Sequence, residues 1–147
     1  MTMSDYSDLE KEIQDAPEPE ILPAGTEVKA RIIIVNSGVS DKNDAKWYSV
    51  VFDVPSEILA PSFNDFFWDL VDRDKVDPKQ VQNALRQYRT FGESFGIDWS
   101  KPVNWEDDLP GSEGWVILGI QKDKTDEYPD KNTVRKYMTG PKEDLPF

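Results

Sequence analysis

The sequence predicts a mainly β domain in which five strands enclose one core and a single helix falls between the third and fourth strands. Three observations carry this expectation. Polar and apolar residues alternate at period two in 27–34 and again in 47–54; apolar positions recur at helical spacing from Val81 to Phe95 behind an Asp-Pro start; and two more strand-like runs follow. A chain of 147 residues fits one such core.

Residues 1–22 hold seven acids against Lys11 alone, with Ser and Pro and few aromatics. That mixture buries too little surface to offset ordering entropy, so a mobile acidic arm is expected there. The domain is expected over 23–138. In the first strand Val28, Ala30, Ile32 and Ile34 share one face, and Glu27, Lys29, Arg31 and Ile33 the other. Asn36 to Ala45 is rich in turn-forming residues, which marks a loop. The second strand then puts Tyr48, Val50, Phe52 and Val54 inward, and Trp47, Ser49 and Val51 outward. A third apolar stretch, Phe63 to Leu70, alternates less cleanly. Phe66, Trp68 and Leu70 pack inward if Phe67 and Asp69 face out, and the phase is open.

Asp77 is placed to cap a helix with Pro78 in its first turn. Val81, Ala84, Leu85, Tyr88, Phe91 and Phe95 form its apolar stripe, and Gly96 ends it. A linker over 97–114 leads to a buried strand, Trp115 to Ile120; a polar loop then leads to a last short strand, Thr133 to Met138. Residues 139–147 are left as a flexible tail. Three strands, a helix and two strands is the order of an OB-fold, a small partly open barrel with oligonucleotides across one outer face and its loops.

Composition removes several classes of function. Without Cys the chain forms neither disulfides nor thiolate metal sites, and without His it lacks the commonest zinc ligand and general base. No apolar run approaches the roughly 18 residues that span a bilayer, so a soluble protein of the cytoplasm is expected. Phosphate-cradling glycine motifs are absent. The acids Glu106, Asp107 and Asp108, and those at 123–130, do not follow the spacing of an EF-hand and read as solvated loops. No enzyme activity, cofactor or metal is expected. The net charge of −12 opposes nucleic-acid binding, but much of it sits in the arm.

Sequence-tolerant binding of single strands needs bases for phosphates and exposed aromatic faces for stacking. Lys29 and Arg31 on the first strand, Lys46 and Trp47 on the second, Phe67 on the third, and Arg135, Lys136 and Tyr137 on the last are the candidates. Lys122 and Lys124, with Lys131, flank them in the loop. The last residues, Glu143-Asp144-Leu145-Pro146-Phe147, combine acids with a terminal aromatic ring and a free carboxylate, which suits capture in the pocket of a partner protein.

Asp144-Leu145-Pro146-Phe147 resembles the tip of bacterial single-stranded DNA-binding proteins, which recruits replication, recombination and repair enzymes. The domain is similar to small phage and prophage single-stranded DNA-binding proteins with an OB-fold. This second likeness runs through residues 22–26, Phe95-Gly96-Ile97, the strand at 114–119 and residues 132–137. It implies a protein that coats displaced strands during phage DNA replication or recombination in a bacterial host cell. Its partners would be single-stranded DNA, replication and recombination proteins held by the tail, and in some assemblies a second copy of the chain. Two features depart from the pattern: only two acids stand directly before Leu145, and the long acidic segment is at the N-terminus. The competing expectation is an acidic interaction module, or a host-directed inhibitor imitating nucleic acid. A metal-dependent nuclease ranks third.

Overall fold

The computed structural model describes residues 3–122, 124–125 and 127–139. Its main element is a five-stranded antiparallel sheet in the order β3-β2-β1-β4-β5, built from β1 (Glu27–Val39), β2 (Lys46–Asp53), β3 (Phe63–Trp68), β4 (Glu113–Gln121) and β5 (Lys131–Met138). Among the described residues three α-helices accompany the sheet: α1 (Glu10–Gln14), α2 (Pro78–Phe95) and α3 (Trp105–Asp108). Among the described residues no helix is long and apolar enough to cross a membrane.

β1 is long because it serves two neighbours. Its first half, Glu27 to Arg31, pairs with β4; its second half, from Arg31 to Val39, pairs with β2. Between Ile32, opposite Phe52, and Ile34, opposite Val51, the register slips by one residue. Ile33 is the extra residue of a β-bulge, so the strand changes phase. Ile34, expected inside, is therefore 50% exposed, and Val35 takes its place in the core.

The inward side chains of all five strands join Phe91 and Phe95 of α2 and Trp105 of α3 in one cluster. Phe52, Phe67 and Phe91 are fully buried in it. Burying each such side chain contributes about 1.5–3 kcal/mol by apolar transfer. The helix starts and stops where the sequence places it. The Asp77 carboxylate accepts from the Lys79 N–H, and Gly96 closes the helix at φ 70°, a left-handed conformation that glycine adopts without strain. Leu85, expected on the buried stripe, is instead 44% exposed.

The linker contains α3, which sequence periodicity did not reveal. Asn104 caps it, accepting from the Asp107 N–H, and Trp105 stacks on Tyr48 with ring centroids 4.3 Å apart. The arm expected to lack regular structure has a turn of 3-10 helix, Ser7–Leu9, leading into α1, and every described residue from 3 to 20 is exposed. The arm is tied down at its end. The Glu20 N–H donates to the Leu59 carbonyl, and buried Asn132 exchanges hydrogen bonds with both backbone groups of Leu22.

Candidate nucleic-acid interface

Side chains directly opposite each other in antiparallel strands emerge on the same face. On the face of β1, β2 and β3 turned away from the core, Trp47 stands opposite Trp68, Ser49 opposite Phe66, and Val51 opposite Asn64. Trp47 and Phe66 are 5.9 Å apart between centroids, and Phe66 meets Trp68 edge to face at 4.9 Å. Phe66 is 43% exposed and both tryptophans are half-buried. Across β1, Trp47 faces Gly38, and its indole lies over the strand so closely that a Cβ on residue 38 would fall 2.5 Å from the ring. The missing side chain lets the ring lie flat along the sheet. The result is an aromatic shelf, bordered by Ser49 and Asn64, which bond to each other at 3.0 Å.

The phase of β3 is therefore the reverse of the one that turned Phe67 outward. Phe67 has no solvent exposure and packs against Phe91 and Trp105. The inward positions are Phe63, Asp65 and Phe67, so the strand puts a carboxylate where alternation calls for an apolar group. The Asp65 carboxylate is held there by the Tyr137 hydroxyl at 2.5 Å, the Gln87 amide at 3.1 Å and the Phe66 N–H at 3.0 Å. Burial raises its pKa above the ordinary carboxylate value, and the three donors oppose that shift.

Tyr137 is likewise in the core rather than on the outer face, because β5 slips register opposite Ile117 and Leu118. Lys136 pairs with Ile117 and Val134 with Leu118, which leaves Arg135 as the extra residue. Arg135 and Lys136 are both exposed in consequence. The hydroxyl of Tyr137 spans from β5 to β3, the two ends of the strand order. Lys136 and Phe66 are the chain neighbours of that bonded pair.

The remaining bases divide by environment. Arg31 makes two hydrogen bonds to Asp53, at 2.7 and 3.2 Å, and Lys29 lies 3.9 Å from Glu113, so each stands beside an acid of its own sheet. Lys46 shares its side of β2 with Tyr48, and its ammonium sits 5.1 Å above that ring rather than beside Trp47. Interaction with the Tyr48 hydroxyl, followed by Asp69 and Glu106, raises its pKa. Lys122 and Lys124, together with Lys131, Gln121, Tyr128 and Pro129, line a pocket of about 370 Å³ at the β4–β5 loop. Glu106 accepts from Ser37, and Asp107 and Asp108 accept from Asn104, so this acidic run braces α3. No group of three or more His, Cys, Asp or Glu among the described residues could hold a metal ion.

The structure thus brings Trp47 together with two aromatics that sequence reading had turned inward, Phe66 and Trp68. It leaves Lys29 and Arg31 on a separate stretch of sheet, between β2 and β4. The buried Phe63 and Phe67, four residues apart, carried the signal for the true phase, and Asp65 between them obscured it. The tail candidates Glu143, Asp144, Leu145, Pro146 and Phe147 lie outside the described residues. No protein-family model matches the chain, and no curated protein sequence matches it.

Proposed function

We propose that the chain binds single-stranded DNA on the outer face of β2 and β3, without catalysis and without strong sequence preference. The observation that carries this reading is the shelf of Trp47, Phe66 and Trp68: three large rings, with Phe66 against each tryptophan, partly open to solvent, on the surface of a sheet. Bases stack on such rings whatever their identity, because every base has a π-face. Lys136 and Arg135 on β5, and Lys122, Lys124 and Lys131 at the β4–β5 loop, supply phosphate contacts. The sheet reads as an OB-type barrel. In its favour are the order of the strands, the position of α2 between β3 and β4 in the chain, and the Tyr137–Asp65 bond between the end strands. By the resemblance of its sequence, the protein would protect displaced strands in phage DNA replication or recombination and recruit partners through its last five residues.

A titration with oligo-dT, followed by tryptophan fluorescence at several salt concentrations, tests the reading. Quenching whose affinity falls linearly in log–log salt is expected; no quenching even at low salt would sink it. A second reading draws on the pairing of Arg31 and Lys29 with acids and on the charge of −12: a domain that imitates nucleic acid and binds a basic protein. In the same titration it gives no response to DNA.

A further inference from the structure

A groove of about 570 Å³ runs along the outward side of α2, lined by Leu70, Leu85, Tyr88, Arg89, Ile97 and Trp99, among others. Two polar groups of its wall are already engaged. The Tyr88 hydroxyl donates to the Trp68 carbonyl and accepts from the Leu70 N–H, and the Trp99 indole N–H donates to the Tyr88 carbonyl. What remains is a mainly apolar surface with Arg89 and Glu93 at its edge. It lacks the convergent free polar groups that fix a small polar ligand, and it suits a short amphipathic segment.

The same chain carries such a segment. Tyr6, Leu9 and Ile13 recur at i, i+3 and i+7 along the Ser7–Leu9 turn and α1, and all three are exposed. The charges on either side are complementary. α2 has Lys79, Arg86 and Arg89 against Glu93, a basic excess in a chain of net charge −12; the arm has Asp5, Asp8, Glu10, Glu12 and Asp15 against Lys11. The lengths agree as well, since seven or eight residues of helix rise about 10–12 Å, both from Tyr6 to Ile13 and from Leu85 to Glu93.

We infer that the α2 groove receives the N-terminal arm of a second copy of this chain. A second copy is favoured because the arm of the same chain leaves the groove uncovered: no described arm residue lines it, and Tyr6, Leu9 and Ile13 stay exposed. The arm meets its own domain at its end, where the Glu20 N–H donates to the carbonyl of Leu59, which precedes the start of β3. Within one chain every described residue from 3 to 20 is exposed. Reciprocal exchange of arms would bury both surfaces in a twofold dimer.

Sedimentation velocity over a concentration series tests this on the full chain. Wild type is expected to dimerise, less tightly as salt is raised. The arm variant Leu9→Asp/Ile13→Asp and the groove variant Arg86→Glu/Arg89→Glu should each weaken the dimer by about tenfold or more. All four positions are exposed, so neither variant threatens the core. An equimolar mixture of the two variants regains association, because one copy offers an intact arm and the other an intact groove. A chain that stays monomeric overturns the proposal, and so does a dimer indifferent to the arm variant. A monomer whose Trp99 emission responds to Leu9→Asp also overturns it, since the arm would then fold onto its own groove.

Discussion

Asp65 and Trp47 show how much a single residue decides in this molecule. Burial holds the Asp65 carboxyl above its ordinary value of 3.8, so folding takes up a proton between that value and the raised native one. The stabilisation from that proton is complete below the interval and is lost as pH rises through it. Asp65→Asn keeps an acceptor for Tyr137 and has no charge to desolvate. Its stability relative to wild type should therefore improve as pH rises from the ordinary value through the native one, read from paired urea titrations. A difference independent of pH would contradict the assignment. On the outer face, removing either Trp47 or Phe66 by alanine substitution should weaken oligo-dT binding by about 1–3 kcal/mol, the value of one stacked base. Gly38→Ala makes a finer test. Its new methyl meets the Trp47 indole at Cζ2, Cε2 and Cη2, side-chain atoms of a half-buried ring, so the fold should survive while the ring is pushed off the strand. Unchanged thermal stability with altered tryptophan emission and weaker binding is expected; unaltered binding would mean that the ring's position is irrelevant.

Elements follow their local chemistry closely where the pattern is regular. Period-two alternation located β2 and its inward face from Tyr48 to Val54, and the Asp-Pro start with Gly96 at the end delimited α2. Asp77→Ala should cost about 1 kcal/mol through the lost cap, seen as a lower urea midpoint with an unchanged slope. The site was less legible than the scaffold, for physical reasons. A run of three isoleucines and a valine from 32 to 35 satisfies either phase, so nothing in side-chain character marks the bulge at Ile33. β3 conceals its phase because its inward carboxylate is satisfied by Tyr137 and Gln87, which are 72 and 22 residues away in sequence. Tyr137 is displaced inward by a second bulge. In each case the deciding partner is distant along the chain, whereas alternation reads only neighbours.

At the scale of the whole molecule, charge is distributed unevenly. The arm concentrates acid and α2 carries a basic excess, so the net charge of −12 does not describe any one surface. Removing residues 1–15 should tighten DNA binding at low salt, and the gain should vanish at high salt as the repulsion is screened. If arms are exchanged between copies, the same truncation also yields monomers. Deleting Asp144 to Phe147 should leave oligo-dT affinity unchanged or slightly higher while abolishing capture of replication proteins. Loss of DNA binding on that deletion would mean that the tail contributes to the binding surface.

The bulge at Ile33 has a further consequence, for insertions and deletions. β1 carries one uncommitted residue: Glu27 to Arg31 keep step with β4, and Arg31, Ile32 and the positions from Ile34 onward keep step with β2. Ile33 therefore matters through the bend it inserts more than as a side chain, and Ile33→Thr should be nearly silent. Excising the residue would set Ile32, Ile34 and Val35 opposite Phe52, Val51 and Val50 in unbroken alternation, so pairing and facing survive and the bend of the bulge is what is lost. A one-residue deletion at 33 should therefore keep Val35 in the core and Gly38 opposite Trp47, so oligo-dT quenching should survive it; loss of quenching would mean that the bend itself aligns the aromatic shelf.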